Sequence, residues 1–334
     1  MTHEEYQMLL ALPLEVKILK TKQRIREFIS QYGREGVYLA FSGGKDSTVL
    51  GHLIREVEPS IPFVFCDTGL EFPEIKTFVK SYENTEIIYP TITRKINGKK
   101  VEVRLTIKEI LTVYGYPVAT KKVSRMVKDL QNPTPRNERT RKMYLSPMVL
   151  DQEGNPTKER NRDWYLAPRW HKLIDSPYKI SGKCCDKLKK EPFKRYNKKT
   201  DRHPFVATLA AESRNRLKAY IKTGCNNFKE RSPQSQPLSF WSEQDIYTYI
   251  VENNIQLASV YGEVVKDEAT GKYYTTGIER SGCMFCMLGA HKEAMPNRFL
   301  QLEKSHPKIH EYCMKDLGFE PILNFLEIPC RNKD

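Results

Sequence analysis

The chain has 334 residues, 39% of them hydrophobic, enough for a large α/β domain with or without a smaller one appended and too apolar for wholesale disorder. No stretch reaches the roughly 20 consecutive apolar residues of a membrane helix, and the opening MTHEEYQMLLALPLEVKILKTK lacks the charged-then-apolar plan of a signal peptide, so a cytoplasmic protein with no membrane partner is expected. The formal charge of +14 is uneven: residues 91–202 hold 29 Lys and Arg against 12 Asp and Glu, a net +17, and the rest sums to −3, which points to a localised anion-binding surface for a nucleic acid or an acidic partner protein.

In chain order, LEVKILKTKQRIREFISQ (14–31) has helical apolar spacing, with Leu14, Ile18, Ile25 and Ile29 on related faces. GVYLAF (36–41), PFVFCD (62–67) and EIIYP (86–90) read as buried strands, and STVLGHLIREV (47–57) as an amphipathic helix between the first two. Strands and helices alternating at this spacing predict βαβ units and a doubly wound parallel sheet. Ligands then belong beyond the carboxyl ends of the strands, where Ser42–Ser47 and Asp67–Glu74 fall. From Thr91 to Pro177 the composition turns basic. TRKINGKKVEVR suggests a hairpin turning at Asn97-Gly98, and NPTPRNERTRK and DQEGNPTKERNRDWY read as polar loops. PFVATLAA (204–211) predicts a returning strand, and SFWSEQDIYTYIVENN starts a mostly helical C-terminal region at Ser242. The expected organisation is a sheet domain over 1–235, with a basic insertion at about 91–177, and a helical region over 236–334 that completes a site.

Ser42-Gly43-Gly44-Lys45-Asp46-Ser47 joins the first strand to its helix. Two glycines let backbone N–H groups approach an anion closely, the helix N-terminus points its positive dipole there, and Lys45 offsets phosphate charge. The spacing is not that of Walker A, whose glycines lie further apart. Eight cysteines in a cytoplasmic chain suggest metal or redox chemistry before disulfides. Adjacent Cys184-Cys185 and Cys283-x-x-Cys286 stand out; by themselves they suit an iron–sulfur cluster, a tetrahedral zinc site or unligated thiols. Cys66 and Cys225 read as small buried hydrophobes, with a replacement or accessory ligand as the alternative for Cys225. His291 reads as a surface or packing residue, with proximity to the thiols as the other option.

Together these stretches resemble the phosphoadenylyl-sulfate reductase family of PP-loop, adenine nucleotide α-hydrolase-like proteins. Ser42–Ser47 resembles the PP-loop, which grips the pyrophosphate or phosphosulfate end of an adenylyl nucleotide. FCDTGLEFPE (65–74) resembles the second motif, with Asp67, Thr68, Gly69, Phe72, Pro73 and Glu74 at matching places. TLAAESRNR (208–216) is similar to the family's Glu-Ser-x-x-Arg element, matched by Glu212, Ser213 and Arg216, although Thr208 to Ala211 supply neither the glycine nor the arginine that often precede it. PLSFWSEQDIYTYI resembles the next block, with Trp241 and Asp245 in place. Cys184, Cys185, Cys283 and Cys286, followed after the first pair by Lys187, Lys189 and Lys190, resemble the pattern of the cluster-bearing adenylyl-sulfate reductases, which implies a [4Fe–4S] cluster as cofactor.

The Glu-Cys-Gly-Leu-His tail that carries the nucleophile of thiol-dependent reductases does not occur. Cys313 and Cys330 sit in unrelated contexts. Other branches, among them the ATP pyrophosphatases of DNA phosphorothioation systems, adenylate a substrate and let sulfur take the activated position. The basic insertion points that way, because Tyr114, Tyr116, Tyr144, Trp164, Tyr165 and Trp170 lie among its Lys and Arg. Such a mixture suits nucleic-acid stacking, an acidic partner, or a folded core.

The resemblance therefore implies an adenylyl-nucleotide enzyme of sulfur metabolism that holds ATP or a phosphosulfate nucleotide on Ser42, Gly43, Gly44, Lys45, Asp46 and Ser47, with Asp67, Thr68, Gly69, Glu74, Glu212, Ser213 and Arg216 completing the site. Lys45, Asp46 and Arg216 are the expected catalytic residues. Lys45 and the helix N-terminus stabilise leaving-group charge, Asp46, Asp67 or Glu74 orient the loop or hold Mg²⁺ if ATP is the ligand, and Arg216 grips the distal anion. Sulfur transfer to a larger acceptor, fed by a sulfur-donor protein, competes with reduction of adenylyl sulfate or its 3′-phosphate and with a non-catalytic nucleotide or redox sensor.

Overall fold

The computed structural model describes residues 1–228 and 232–332. The chain divides into two compact units, Met1–Pro90 with Glu191–Gly282, and Thr91–Lys190 with Cys283–Asp334.

The first unit is built on a sheet that is parallel except at one edge. β1 (Val37–Phe41) lies between β2 (Phe63–Cys66) and the strand His203–Phe205, with Leu39 opposite both Phe63 and Phe205. β3 (Thr85–Ile88) flanks β2, and Gln234–Ser235 and the antiparallel Asn226–Asn227 extend the other side. VYLAF and FVFC are near-continuous apolar runs because helices cover both faces of such a sheet. After α1 (His3–Leu10), α2 (Leu14–Tyr32) buries Ile25 and Phe28, α3 (Lys45–Val57) buries Val49, Leu50, Leu53 and Ile54, and α4 (Pro73–Lys80) buries Ile75 and Val79. The chain moves outward through β2 and β3, then returns on the other side of β1. That reversal makes the carboxyl end of β1 a topological switch point, the usual crevice for a ligand.

Ser242 caps the helix Glu243–Glu252 through a capping box with Asp245, as its sequence predicts. Asp245 also pairs with Lys17 of α2 at 2.6 Å, where Lys17 is 2% exposed, and Trp241 donates its indole N–H to Thr21. Trp241 and Asp245 thus fasten α2 to the C-terminal half of this unit. The strand expected over 204–211 is limited to His203–Phe205, because Ala210 N–H bonds Ser239 across a loop and the chain turns through Ala210–Glu212.

In the second unit Thr91–Ile96 and Lys99–Arg104 form the expected hairpin, with Asn97 (φ 49°) and Gly98 (φ 78°) at its turn. The two stretches read as loops are more ordered than their composition suggests. Glu138–Leu145 is helical after a capped turn at Thr134, and Met148–Leu150 pairs with Pro156–Arg160. Local charge hides these elements, whereas burial of Tyr144 on one helix face stabilises the first of them. Of the aromatics among the basic residues, Tyr144 and Trp170 are buried, Tyr114, Tyr116 and Tyr165 are half-buried, and Trp164 is 42% exposed, stacked on Tyr144. Two of the six are therefore core, and only Trp164 is exposed. The second unit joins the 91–190 segment to the C-terminal 283–334 segment. Tyr116 packs on Phe319 and donates to Leu317, and Gly289 donates to Ala119, so the insertion and the C-terminal segment fold together.

Candidate functional site

In the first unit, the loop after β1 is held by its own hydroxyls. Ser42 and Ser47 share a hydrogen bond of 2.9 Å, and Ser47 and Thr48 both donate to the Gly44 carbonyl, at 2.9 and 3.0 Å. Gly43 has φ 68°, and a Cβ there would stand 2.8 Å from the methyls of Ile75 and Val79, so two independent constraints demand glycine. Gly44 supplies no side-chain cap to α3, so apart from the Lys45 N–H, which meets the Tyr261 hydroxyl, its first turn presents an anion-receptive end.

Lys45 is 5% exposed. Its ammonium pairs with Glu243 at 2.9 Å, donates to the Glu279 carbonyl at 3.1 Å, and lies 5.3 Å from the centre of the Tyr247 ring. Burial opposes its charge, but Asp46 and the bond to Glu243 outweigh that and raise its pKa above the ordinary lysine value. Its backbone N–H donates to the Tyr261 hydroxyl at 3.2 Å. Asp46 is deeply placed, and its Oδ1 has no hydrogen-bond partner among the described residues. Burial, joined by Glu243, raises its pKa against the opposing charges of Lys45, Arg280 and Arg216.

The second loop is committed to its own geometry. Asp67 pairs with Lys76 at 2.9 Å and accepts from Gly69 N–H, while Thr68 donates to Glu71 from backbone and hydroxyl. Glu74 stands in the first turn of α4. Ser213 caps the helix Arg214–Thr223 by accepting from Arg216 N–H, and Glu212 pairs with Arg216. Of the predicted residues, Lys45, Asp46 and Arg216 therefore share one electrostatic neighbourhood with Glu212 beside them, while Asp67, Thr68 and Ser213 are engaged in local turns and caps.

Sequence reasoning missed Glu243, Tyr247, Tyr261, Glu279, Arg280 and Ser281, which surround Lys45 and Gly44. The local cues were the block PLSFWSEQDIYTYI, which contains Glu243 and Tyr247 beside the residues read there, and the polar Glu279-Arg280-Ser281 run just before Cys283. The rest depends on long-range packing.

The second unit contains the four singled-out thiols. Cys184 is buried and the others are half-buried. The bond from Cys184 pulls the Cys185 thiol down to about 6, assisted by Lys121 and Lys189 against burial. The same bond, burial, and the neighbouring Cys185, Cys286 and Cys283 push Cys184 up. Burial raises Cys286 despite Arg298, which donates to the Cys286 carbonyl at 2.9 Å. Among the described residues no group of three or more His, Cys, Asp or Glu side chains closes around a single ion. In kind the donor set fits a [4Fe–4S] cluster. It supplies four mutually interacting thiols, with Lys121, Lys189 and Arg298 to offset their negative charge. His291 packs edge-on against Trp170. Cys66 and Cys225 are buried, as expected of core residues. Cys313 and Cys330 are buried too, and burial raises both thiols.

Comparison with known proteins places this geometry in context. The model of the phosphoadenosine phosphosulfate reductase domain matches residues 36–128 and 135–288. An uncharacterized protein of Methanocaldococcus jannaschii is 24% identical over 273 residues, covering 81% of this chain and 44% of that protein. A phosphoadenosine 5′-phosphosulfate reductase of Photobacterium profundum is 33% identical over 76 residues, 23% of this chain and 30% of the enzyme. The chain thus spans less than half the length of either relative. Among solved structures, the phosphate complex of phosphoadenylyl-sulfate reductase from Candida auris is 13% identical with a TM-score of 0.38, covering 78% of this chain and 90% of that one. The U34-tRNA thiolase NcsA from Methanococcus maripaludis with its [4Fe-4S] cluster is 13% identical with a TM-score of 0.32, covering 95% and 82%. Among the described residues no helix is long and apolar enough to cross a membrane. With the family model spanning most of the sheet, both loops, the Glu212 element and all four thiols, the chain belongs to the phosphoadenosine phosphosulfate reductase domain family.

Proposed function

We propose that this protein activates a larger acceptor, of nucleic-acid class, with ATP and passes sulfur to the activated position. The acceptor oxygen attacks the α-phosphorus, the bond to the β-phosphate oxygen breaks, and pyrophosphate leaves with the electron pair. A sulfide-level sulfur from a donor protein then displaces AMP. The loop amides and the α3 N-terminus take the phosphates directly, and Lys45 contributes its charge from within the Glu243 pair. Asp46, with its unpartnered buried oxygen, is the residue suited to Mg²⁺ accompanying ATP. Arg216 faces the distal phosphates. Cys184, Cys185, Cys283 and Cys286 would hold a [4Fe–4S] cluster, which when bound supplies electron transfer or a site for sulfur. The basic 91–202 region, with Arg125 over the exposed Trp164 at 5.2 Å, receives the acceptor.

The observation that carries this choice is the burial of Cys313 and Cys330. A reductase that attacks sulfur from its tail needs an accessible thiolate, whereas both thiols are enclosed and Cys330 is tied through its carbonyl to His310 at 2.7 Å. The family description favours the competing reading, reduction of a phosphosulfate nucleotide. Offering ATP, adenylyl sulfate and its 3′-phosphate separately, with a thiol reductant, tests the choice. Pyrophosphate release from ATP that rises with added nucleic acid supports sulfur transfer. Sulfite release selects the reductase and overturns it, and tight nucleotide binding without turnover selects a sensor.

A further inference from the structure

Within the first unit a second guanidinium besides that of Arg216 stands beside Glu212, that of Arg280 at 3.6 Å. We infer that Arg280 is the second arginine of the anion grip and binds the terminal oxyanion of the nucleotide, the phosphate or sulfate beyond the α-phosphate. The inference rests on the proposed nucleotide-binding role of the Ser42–Ser47 loop.

Its neighbours fix where Arg280 sits. Glu279 accepts from the Lys45 ammonium at 3.1 Å through its carbonyl. On the other side, Ser281 lies so close to the loop that a Cβ on Gly44 would stand 2.5 Å from its hydroxyl, and it bonds the Tyr261 hydroxyl that also receives the Lys45 N–H. Residues 279 and 281 are thus anchored to the phosphate loop. Arg280, between them, is 66% exposed and electrostatically coupled to Asp46.

Its present partner is a weak one. Arg280 stands 3.6 Å from Glu212, a carboxylate already paired with Arg216. Two guanidiniums share one carboxylate, and their repulsion, after burial, lowers the Arg216 pKa. Arg216 is the better held of the two. Arg280 is therefore the one free to exchange Glu212 for a ligand, and a guanidinium meets a tetrahedral oxyanion through two parallel N–H bonds. Glu212 then remains as the residue that positions Arg216.

The test is equilibrium titration of the full chain with ATP, adenylyl sulfate and AMP, comparing wild type, Arg280→Ala and Arg280→Lys, with thermal melting to confirm the fold. Removing one charge-assisted interaction with the terminal oxyanion should make Arg280→Ala bind ATP and adenylyl sulfate about 10- to 100-fold more weakly and AMP less than about twofold more weakly, with Arg280→Lys in between. Weakening of ATP alone assigns the subsite to phosphate, and of adenylyl sulfate alone to sulfate. Unchanged affinities, or equal weakening of all three ligands, overturn the assignment while leaving the nucleotide reading intact. A wild-type chain that binds none of the three overturns both.

Discussion

The two units treat charge in different ways. In the first, nearly every ion of the candidate site already has a counterion: Lys45 with Glu243, Arg216 with Glu212, Asp67 with Lys76. In the second, four thiols sit together, with Cys184 and Cys286 pushed up and Cys185 pulled down by its bond from Cys184, and Lys121, Lys189 and Arg298 nearby. The first arrangement suits a site formed before its ligand arrives, because Glu243 holds the buried Lys45 ammonium and the serine hydroxyls hold the loop. The second is a set of thiols of the kind that would hold a [4Fe–4S] cluster.

The largest effect should come from the loop. Gly43→Ala forces a β-carbon into the left-handed region and against Ile75 and Val79. Nucleotide affinity should fall at least about 100-fold, read by titration, because the amides that meet the anion are displaced. A tenfold loss or less would mean that the first site is less preformed than described. The thiols come next. Anaerobically purified protein should carry about four irons per chain with thiolate-to-iron absorbance. Cys184→Ala or Cys283→Ala should lose most of that iron and leave ATP affinity within about threefold. Stoichiometric zinc, or iron retained by both variants, would break the contrast from the other side. Within the first unit, Lys17→Ala strands Asp245 in a largely buried place and should lower stability by about 3 kcal/mol in denaturant melts. A change below about 1 kcal/mol would show that the pair does not fasten α2. The smallest effect belongs to Trp164→Ala, an exposed ring: stability should stay within about 0.5 kcal/mol, while the stimulation of pyrophosphate release by nucleic acid drops several-fold through removal of one stacking platform worth about 1–3 kcal/mol. Unaltered stimulation would remove Trp164 from the acceptor surface.

The parts of this molecule that sequence made legible are those governed by local rules. β1, α3 and the glycine loop between them follow from an apolar run, two glycines and a helical pattern, and the Asn97-Gly98 hairpin and the Ser242 cap follow from turn and cap chemistry. What stayed hidden was set by contacts far apart in the chain. Glu243 and Tyr261 lie about 200 residues from Lys45, Glu243 inside a block that reads only as a helix start, and the proposed role of Arg280 emerges only when residues 279–281 are laid on the loop. The insertion misled for a related reason. Its dense Lys and Arg made Glu138–Leu145 read as a loop, although burial of Tyr144 on one helix face organises it, and of the readings its aromatics left open Tyr144 and Trp170 take that of a folded core. Periodicity weighs residues one by one, and a half-buried basic helix gives it little apolar signal.

If the first unit grips an adenine nucleotide by its phosphates, titration of the full chain should separate ATP from adenosine. ATP should bind at least about 100-fold tighter than adenosine, the difference that several charge-assisted phosphate contacts supply. Equal affinity for the two, or adenosine bound and ATP not, would contradict it.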